Sequence, residues 1–383
     1  MTDYLAAARA VADEMCAVRR EIHRHPELGN REFRTAAFIE DHLRRLGIET
    51  RRVTETAVVG TLTGGRPGRC AALRADMDAL PLTEATGCAF ASENPGVMHA
   101  CGHDVHMAAV LGAARLLAGR RDTLPGSVVF LFQPDEEGYG GAERMIRAGC
   151  LDGVDAVFGA HVSSTIAAGR AGVRFGKFYA AANLFDVTVK GRSAHGAERE
   201  NGVDALAAAA EMIPALIALP GTFPGERCVV TVGTITAGTA RNIVPDRAAM
   251  TGIVRTLGPD VRAAMMDRLV NTVRTIAARH GTEVEITLRE GYPGVVNDDD
   301  MTRLVEAAAR DVLGAENVTE IAEPTLTTED FGYYLEARPG SYYHVGAGCT
   351  LPLHNPGFLP KDEAVVTAAA LHMAVIGRFL GLD

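Results

Sequence analysis

Val128-Val129-Phe130-Leu131-Phe132-Gln133-Pro134-Asp135-Glu136-Glu137-Gly138 joins an unbroken apolar run to a proline-bounded acidic turn. A run that is continuously apolar, rather than alternating, reads as a strand buried on both faces, which is the strand of a parallel sheet. Ala156-Val157-Phe158-Gly159-Ala160-His161 has the same texture, and shorter runs fall at 58–62 and 70–74. Around them the spacing predicts helices over about 5–23, 32–46, 104–117 and 142–148, with Gly47 ending the second as a left-handed cap. Strands alternating with helices indicate an α/β domain whose largely parallel central sheet is flanked by helices. In such sheets ligands collect at the carboxyl ends of strands. Asp76, Asp78, Glu136, Glu137 and His161 all fall there.

After about residue 182 the texture changes. Residues 185–189 alternate, 203–219 are helical, 229–235 and 249–256 read as strands, 261–280 as a long helix, and 283–288 alternate again. Strand, helix, two strands, helix, strand is the order of a ferredoxin-like α+β unit. The expected organisation is therefore a discontinuous domain of residues 1–181 and 292–383, with 182–291 inserted. Its second piece brings helices near 300–313 and 329–336, a strand at 342–345 and a final helix from about 362. No internal repeat and no low-complexity linker is visible.

A chain of 383 residues exceeds a usual single core, in keeping with two domains. The net charge of −10 argues against nucleic acid and against an anionic membrane face as partners. Met1-Thr2-Asp3-Tyr4-Leu5 lacks the basic-then-apolar pattern of a signal peptide. The apolar stretch 205–219, broken by Glu211 and Pro214, is too short to span a bilayer. Seven cysteines, odd in number and scattered, form no disulfide framework and point to the reducing cytoplasm. With no tryptophan and 5% aromatics, stacking-based recognition is not expected.

The densest chemistry lies in Met98-His99-Ala100-Cys101-Gly102-His103-Asp104-Val105-His106. Cys101 and His103 stand just before a predicted helix, whose dipole favours an anion and prepares a thiolate ligand. The bland alternative is a buried structural cysteine beside a helix-capping Asp104. His99, His103, His106 and the Glu136-Glu137 pair weigh against it. Adjacent carboxylates repel, and burying them is costly without compensation. A metal supplies that compensation for one, and the other, with a raised pKa, can shuttle protons. His161 ends a strand and His354 sits in a proline-bounded turn, Pro352-Leu353-His354-Asn355-Pro356; each alone reads as structural. His23 and His25 read as residues that cap and pack the first helix. In the insertion, Gly191-Arg192-Ser193-Ala194-His195-Gly196 places a histidine in a glycine-flanked turn. Arg241-Asn242 and Arg255 offer donors suited to a carboxylate, with solvated surface charge as the alternative.

These stretches, together with 19–29, 73–81, 159–161, 238–245, 329–331 and 353–356, make the chain resemble the metal-dependent aminoacylase and carboxypeptidase G-like amidohydrolases. Through the cysteine-bearing segment it is most similar to the branch of hippurate hydrolases and indole-acetyl-amino-acid hydrolases. The resemblance implies a catalytic α/β domain with a dinuclear centre of divalent ions (Zn2+ or Mn2+, with Co2+ or Ni2+ as alternatives). It also implies that the insertion is a lid through which such proteins form homodimers. Carried over by position, Cys101, His103, Glu137, His161 and His354 correspond to metal ligands, Glu136 to the general base and Asp78 to a carboxylate orienting the site. His195 corresponds to the oxyanion stabiliser, and Asn242 and Arg255 to the holders of the substrate carboxylate. The implied reaction is hydrolysis of the amide of a small N-acyl amino acid, or of a short peptide, by a metal-activated water. Tyr139, Arg199 and Gly357 depart from residues common in the family, so the acyl group stays open. Two other readings remain: a cysteine amidase with Cys101 as nucleophile, and a non-catalytic protein that binds metal or ligand.

Overall fold

The structure is a computed structural model that describes residues 3–382. Along the chain run α1 (Tyr4–Ala10), α2 (Ala12–Arg24), α3 (Phe33–Arg45), β1 (Glu49–Arg52), β2 (Val58–Thr63), β3 (Arg66–Asp76), α4 (His103–Ala118), β4 (Pro125–Gln133), α5 (Ala142–Arg147), β5 (Ala156–Ser163) and β6 (Ala171–Val173). There follow β7 (Gly176–Tyr179), β8 (Ala181–Lys190), α6 (Ala205–Ile217), β9 (Cys228–Ala237), β10 (Arg247–Thr256), α7 (Pro259–His280), β11 (Glu283–Glu290) and β12 (Val295–Asn297). The chain ends with α8 (Asp299–Leu313), β13 (Val318–Glu320), α9 (Gly332–Ala337), β14 (Gly340–Gly346) and α10 (Asp362–Leu380).

Contacts divide the chain into two units. One comprises Met1–Gly176, Val296–Ala322 and Asp330–Asp383; the other comprises Lys177–Val295 and Glu323–Glu329. The short stretch Glu323–Glu329 joins the second unit through backbone and side-chain bonds: Ala180 N–H donates to the Thr327 carbonyl at 3.0 Å, and Arg255 to that of Leu326 at 2.9 Å.

In the first unit eight strands form one sheet in the order β1-β2-β4-β3-β5-β14-β6-β13. Its centre, β4-β3-β5-β14, is parallel throughout, while β1, β2 and β6 add antiparallel pairings. Every residue of β5 is buried, as are the last six of β4, which is why both read as unbroken apolar runs. Against the sheet packs α10, in contact with β3, β4, β5, β14 and α4. It is long and apolar enough by composition to cross a membrane, more so than 205–219, but 83% of its most apolar window is buried in the core. A helix apolar all round belongs in such a place.

Two helices depart from expectation. The predicted helix 5–23 is broken at Val11 (φ −115°, ψ 14°), where the chain passes from α1, packed on α10, to α2, packed mainly on α4. The predicted helix 329–336 starts only at Gly332, because the Asp330 carboxylate is drawn into a buried network described below.

The second unit is a four-stranded antiparallel sheet in the order β11-β8-β10-β9, with α6 and α7 packed on it. Its element order is the ferredoxin-like one. In β8 Phe185, Val187 and Val189 are buried and the residues between them are not, since only one face is covered. Asp204 caps α6 through Ala207 N–H, and Pro259 opens α7, which Gly281 (φ 68°) closes.

Candidate metal centre

Strand register decides which residues meet. β3 and β4 run parallel with Asp76 opposite Gln133, and Met77 N–H donates to the Gln133 carbonyl at 2.8 Å. The residues just beyond are thereby neighbours: Glu137 N–H donates to the Asp78 carboxylate at 2.9 Å. On the other side of β3, β5 brings His161. Cys101 and His103 arrive at the start of α4, across Gly102 with φ 87°. The turn bearing His354 is tied in by its N–H to the Ala100 carbonyl at 2.9 Å.

Donor atoms of Cys101, His103 and His161 lie within 4.8 Å of one another, as do those of Cys101, Glu137 and His354, and those of His103, Glu136 and Glu137. These six side chains, widely separated in the chain, share one place.

Hydrogen bonding selects which ring atoms are available. His103 Nδ1 donates to the Asp78 carbonyl at 2.8 Å, and His161 Nδ1 to the Val162 carbonyl at 2.7 Å. A carbonyl only accepts, so both Nδ1 atoms carry hydrogen, and a cation can be taken only at Nε2. His103 Nε2 is buried without a hydrogen-bond partner, and His161 Nε2 lies 3.4 Å from Cys101 Sγ. His106 differs: its Nδ1 donates to Asp76 at 2.6 Å and its Nε2 accepts from Val162 N–H at 3.0 Å. It is a structural histidine. His99 is buried with neither ring nitrogen hydrogen-bonded, and burial pushes its pKa down to about 3.

The site demands positive charge. Burial works against a charged His103, yet Asp76 and then Asp78 outweigh it and raise its pKa to about 10. His354 Nε2 stands 3.0 Å from Glu137 Oε1, and that contact raises the histidine. Cys101 corrects the expectation of a thiol lowered by a helix dipole. Burial, then the Glu137 and Glu136 carboxylates, push it well above its ordinary value. A dipole at one helix end is weaker than complete desolvation beside two carboxylates. The donor set, a thiol, imidazole Nε2 atoms and carboxylates, fits divalent transition ions, which would satisfy the orphaned His103 Nε2 and neutralise the acids.

Two buried frameworks, not evident from local sequence, hold this set. Arg74 binds Asp76, and also Asp330 at 2.9 Å and Gln133 at 2.9 Å, while Asp330 accepts from Gly141 and Ala142 N–H at 3.0 and 3.1 Å. The available signal was an arginine ending an apolar strand, which must be paired to be buried. On the other side, Asp104 accepts from Arg19 and from His23 Nδ1, each at 2.9 Å, so it does not cap α4. Burial opposes charge on His23, but Asp104 and Glu84 raise its pKa to about 9, making it an ion rather than simple packing.

Glu32 is fully buried, and burial lifts its pKa to about 7 from 4.5. The folded state therefore holds this proton more tightly than the unfolded chain, and stability falls as pH rises from about 4.5 to 7. We expect Glu32→Gln to flatten that slope, worth up to about 3 kcal/mol, in urea titrations from pH 5 to 8. Parallel curves for the two proteins would contradict the shift.

Glu136, Asp78 and all five candidate ligands lie in the first unit, whereas His195, Asn242 and Arg255 lie in the second. There His195 pairs with Ile243 in an isolated bridge, and Gly196 N–H donates to the Asn242 carbonyl at 2.8 Å. His195 and Asn242 are exposed, and Arg255 is half-buried.

Comparison with known proteins agrees with this geometry. Residues 72–378 match the model of Peptidase family M20/M25/M40. The chain is 38% identical to the N-acetyl-L-cysteine deacetylase of Bacillus subtilis, covering 93% of this chain and 86% of that one. It is 40% identical to the N-acyl-L-amino acid amidohydrolase of Geobacillus stearothermophilus, over 76% of this chain and 80% of that one. A solved Bacillus subtilis structure, described as a dinuclear metal binding peptidase of the M20 family, superposes with a TM-score of 0.88 at 34% identity, covering 98% of this chain and all of that one. With its fold, its largely buried donor cluster and four-fifths of its length in agreement, the chain belongs to Peptidase family M20/M25/M40 and is a metal-dependent hydrolase.

Proposed function

We propose that this protein hydrolyses the amide bond of N-acyl amino acids, with acetyl, benzoyl or aryl-acetyl groups, or of short peptides, using Glu136 as general base. The observation that carries this reading is the convergence of Cys101, His103, Glu137, His161 and His354 beside a further buried carboxylate, Glu136. The first five would hold two divalent ions, zinc or manganese before cobalt or nickel. When bound, such ions supply a Lewis acid and lower the pKa of a coordinated water from about 16 toward about 7. Glu136 takes the proton from the attacking water and delivers it to the leaving amine nitrogen. Asp78 orients the site, its carbonyl setting the His103 ring and its carboxylate holding the Glu137 backbone. His195 stabilises the oxyanion, and Asn242 and Arg255 bind the substrate carboxylate.

The 3.4 Å contact between Cys101 Sγ and His161 Nε2 is what a cysteine–histidine dyad needs. Its electrostatics run the wrong way. Burial holds the thiol up and the imidazole down, which disfavours the thiolate–imidazolium pair. A metal-reconstituted screen against acetyl, benzoyl and indole-acetyl amino acids tests the proposal. Turnover of at least one class is expected. No turnover across the panel, with metal confirmed bound, would favour a non-catalytic binding protein.

A further inference from the structure

Among the described residues only three besides glycine have a positive φ: Asn30 (61°), Asp135 (59°) and His354 (64°). For an L-residue the left-handed region costs about 1–2 kcal/mol, least for asparagine and aspartate, and it persists only where surroundings enforce it. His354 belongs to the donor cluster. The other two touch each other: Asn30 Nδ2 donates to Asp135 Oδ2 at 2.6 Å. Asp135 immediately precedes Glu136 and Glu137.

The turn around Asp135 is built on every side. Its Oδ2 also accepts from Arg144 Nη2 at 3.0 Å and from Tyr139 N–H at 3.3 Å. Its own N–H donates to Glu32 Oε1 at 3.0 Å, which also accepts Asn30 N–H at 3.1 Å, and its carbonyl accepts Gly140 N–H at 3.0 Å. Room for Oδ1 exists because two neighbours lack side chains: a Cβ on Gly29 or on Gly138 would each lie 2.2 Å from it. Such a carboxylate, 3% exposed and gripped by donors from three separate segments, is far more than an ordinary turn requires. A left-handed residue reverses the chain after β4, so it sets the direction in which the next two side chains leave.

We propose that Asp135 is a positioning residue for Glu136 and Glu137, its left-handed backbone and clamped carboxylate fixing the turn that aims both acids. This rests on the reading of Glu136 as base and Glu137 as ligand. Aiming matters because a misplacement of about 1 Å in a reacting group can cost about 100-fold in rate.

The test uses the full-length, metal-loaded protein and four variants, measuring kcat, KM, bound metal by elemental analysis and thermal midpoint. Asp135→Ala removes both the left-handed preference and the carboxylate; kcat falls about 10- to 100-fold, with KM within about twofold and the fold retained at the assay temperature. Asp135→Asn keeps the backbone preference and an acceptor for Asn30 and Arg144, and recovers most of kcat. Asp135→Gly restores only the backbone freedom and falls between the two. Arg144→Leu, a change at a partly exposed side chain, lowers kcat by about three- to tenfold without threatening the fold. Metal affinity, read by competition with a chromophoric chelator, weakens in the same order, since Glu137 is aimed by the same turn. Wild-type kcat and metal affinity in Asp135→Ala would overturn the proposal, as would an equal loss in the Ala, Gly and Asn variants that merely follows the folded fraction. Glu136→Gln assayed alongside separates the two ideas. If that variant stays active, the reading of the base fails. If it is dead while Asp135→Ala is unimpaired, only the positioning role fails.

Discussion

Glu136→Gln is expected to leave bound metal unchanged and to lower kcat by about 10²–10⁴-fold, the usual share of a positioned general base. Glutamine has nearly the shape of glutamate and still accepts a hydrogen bond, but it cannot take a proton. Glu136 is 6% exposed and stands next to Glu137, with donor atoms of both near His103. Burial and mutual repulsion act against two neighbouring carboxylates, so their roles should divide: one neutralised by metal, one left to carry a proton. The corresponding change at Glu137 should instead lower metal content together with kcat. Elemental analysis with steady-state kinetics on both variants distinguishes them, and near-normal turnover of metal-loaded Glu136→Gln would refute the assignment.

Chelation is the second large effect. EDTA should abolish activity, and added zinc or manganese should restore it, whereas iodoacetamide at neutral pH should leave the untreated enzyme active. The second half follows from Cys101, which is 6% exposed and, as a metal ligand in the loaded enzyme, would have its sulfur engaged by the ion. The reactive species is the free thiolate, and a buried sulfur bound to metal does not offer one. Chelation should also lower the thermal midpoint. An ion binding only the folded state at 100 to 1,000 times its Kd contributes about 3–4 kcal/mol. Activity that survives EDTA but dies with iodoacetamide would transfer the chemistry to Cys101.

Local composition was enough to recognise the elements on which these expectations rest. Unbroken apolar runs at β4 and β5 told of strands covered on both faces, and the acids and histidine at their ends followed from strand direction. Alternation at 185–189 marked a sheet with one covered face, as β8 has. The residue types at Cys101, His103, Glu137, His161 and His354 suggest a cluster of donors, and the structure brings their donor atoms together.

Which atoms of each group are engaged depends on partners that arrive from far along the chain. His103 and His106 are equivalent in the sequence, three residues apart on one helix. Only the Asp78 carbonyl frees Nε2 of the first, and only Asp76 with Val162 occupies both nitrogens of the second. Arg74 and Asp330 meet across 256 positions, and no local rule pairs them. At Cys101 the helix that follows is a poor guide to the thiol, because burial and neighbouring carboxylates act through space. Periodicity and composition are short-range properties and determine elements, their order and their exposed or covered faces. Protonation, tautomer and the left-handed turn at Asp135 depend on desolvation and on donors brought together by packing, and only the tertiary structure could decide them.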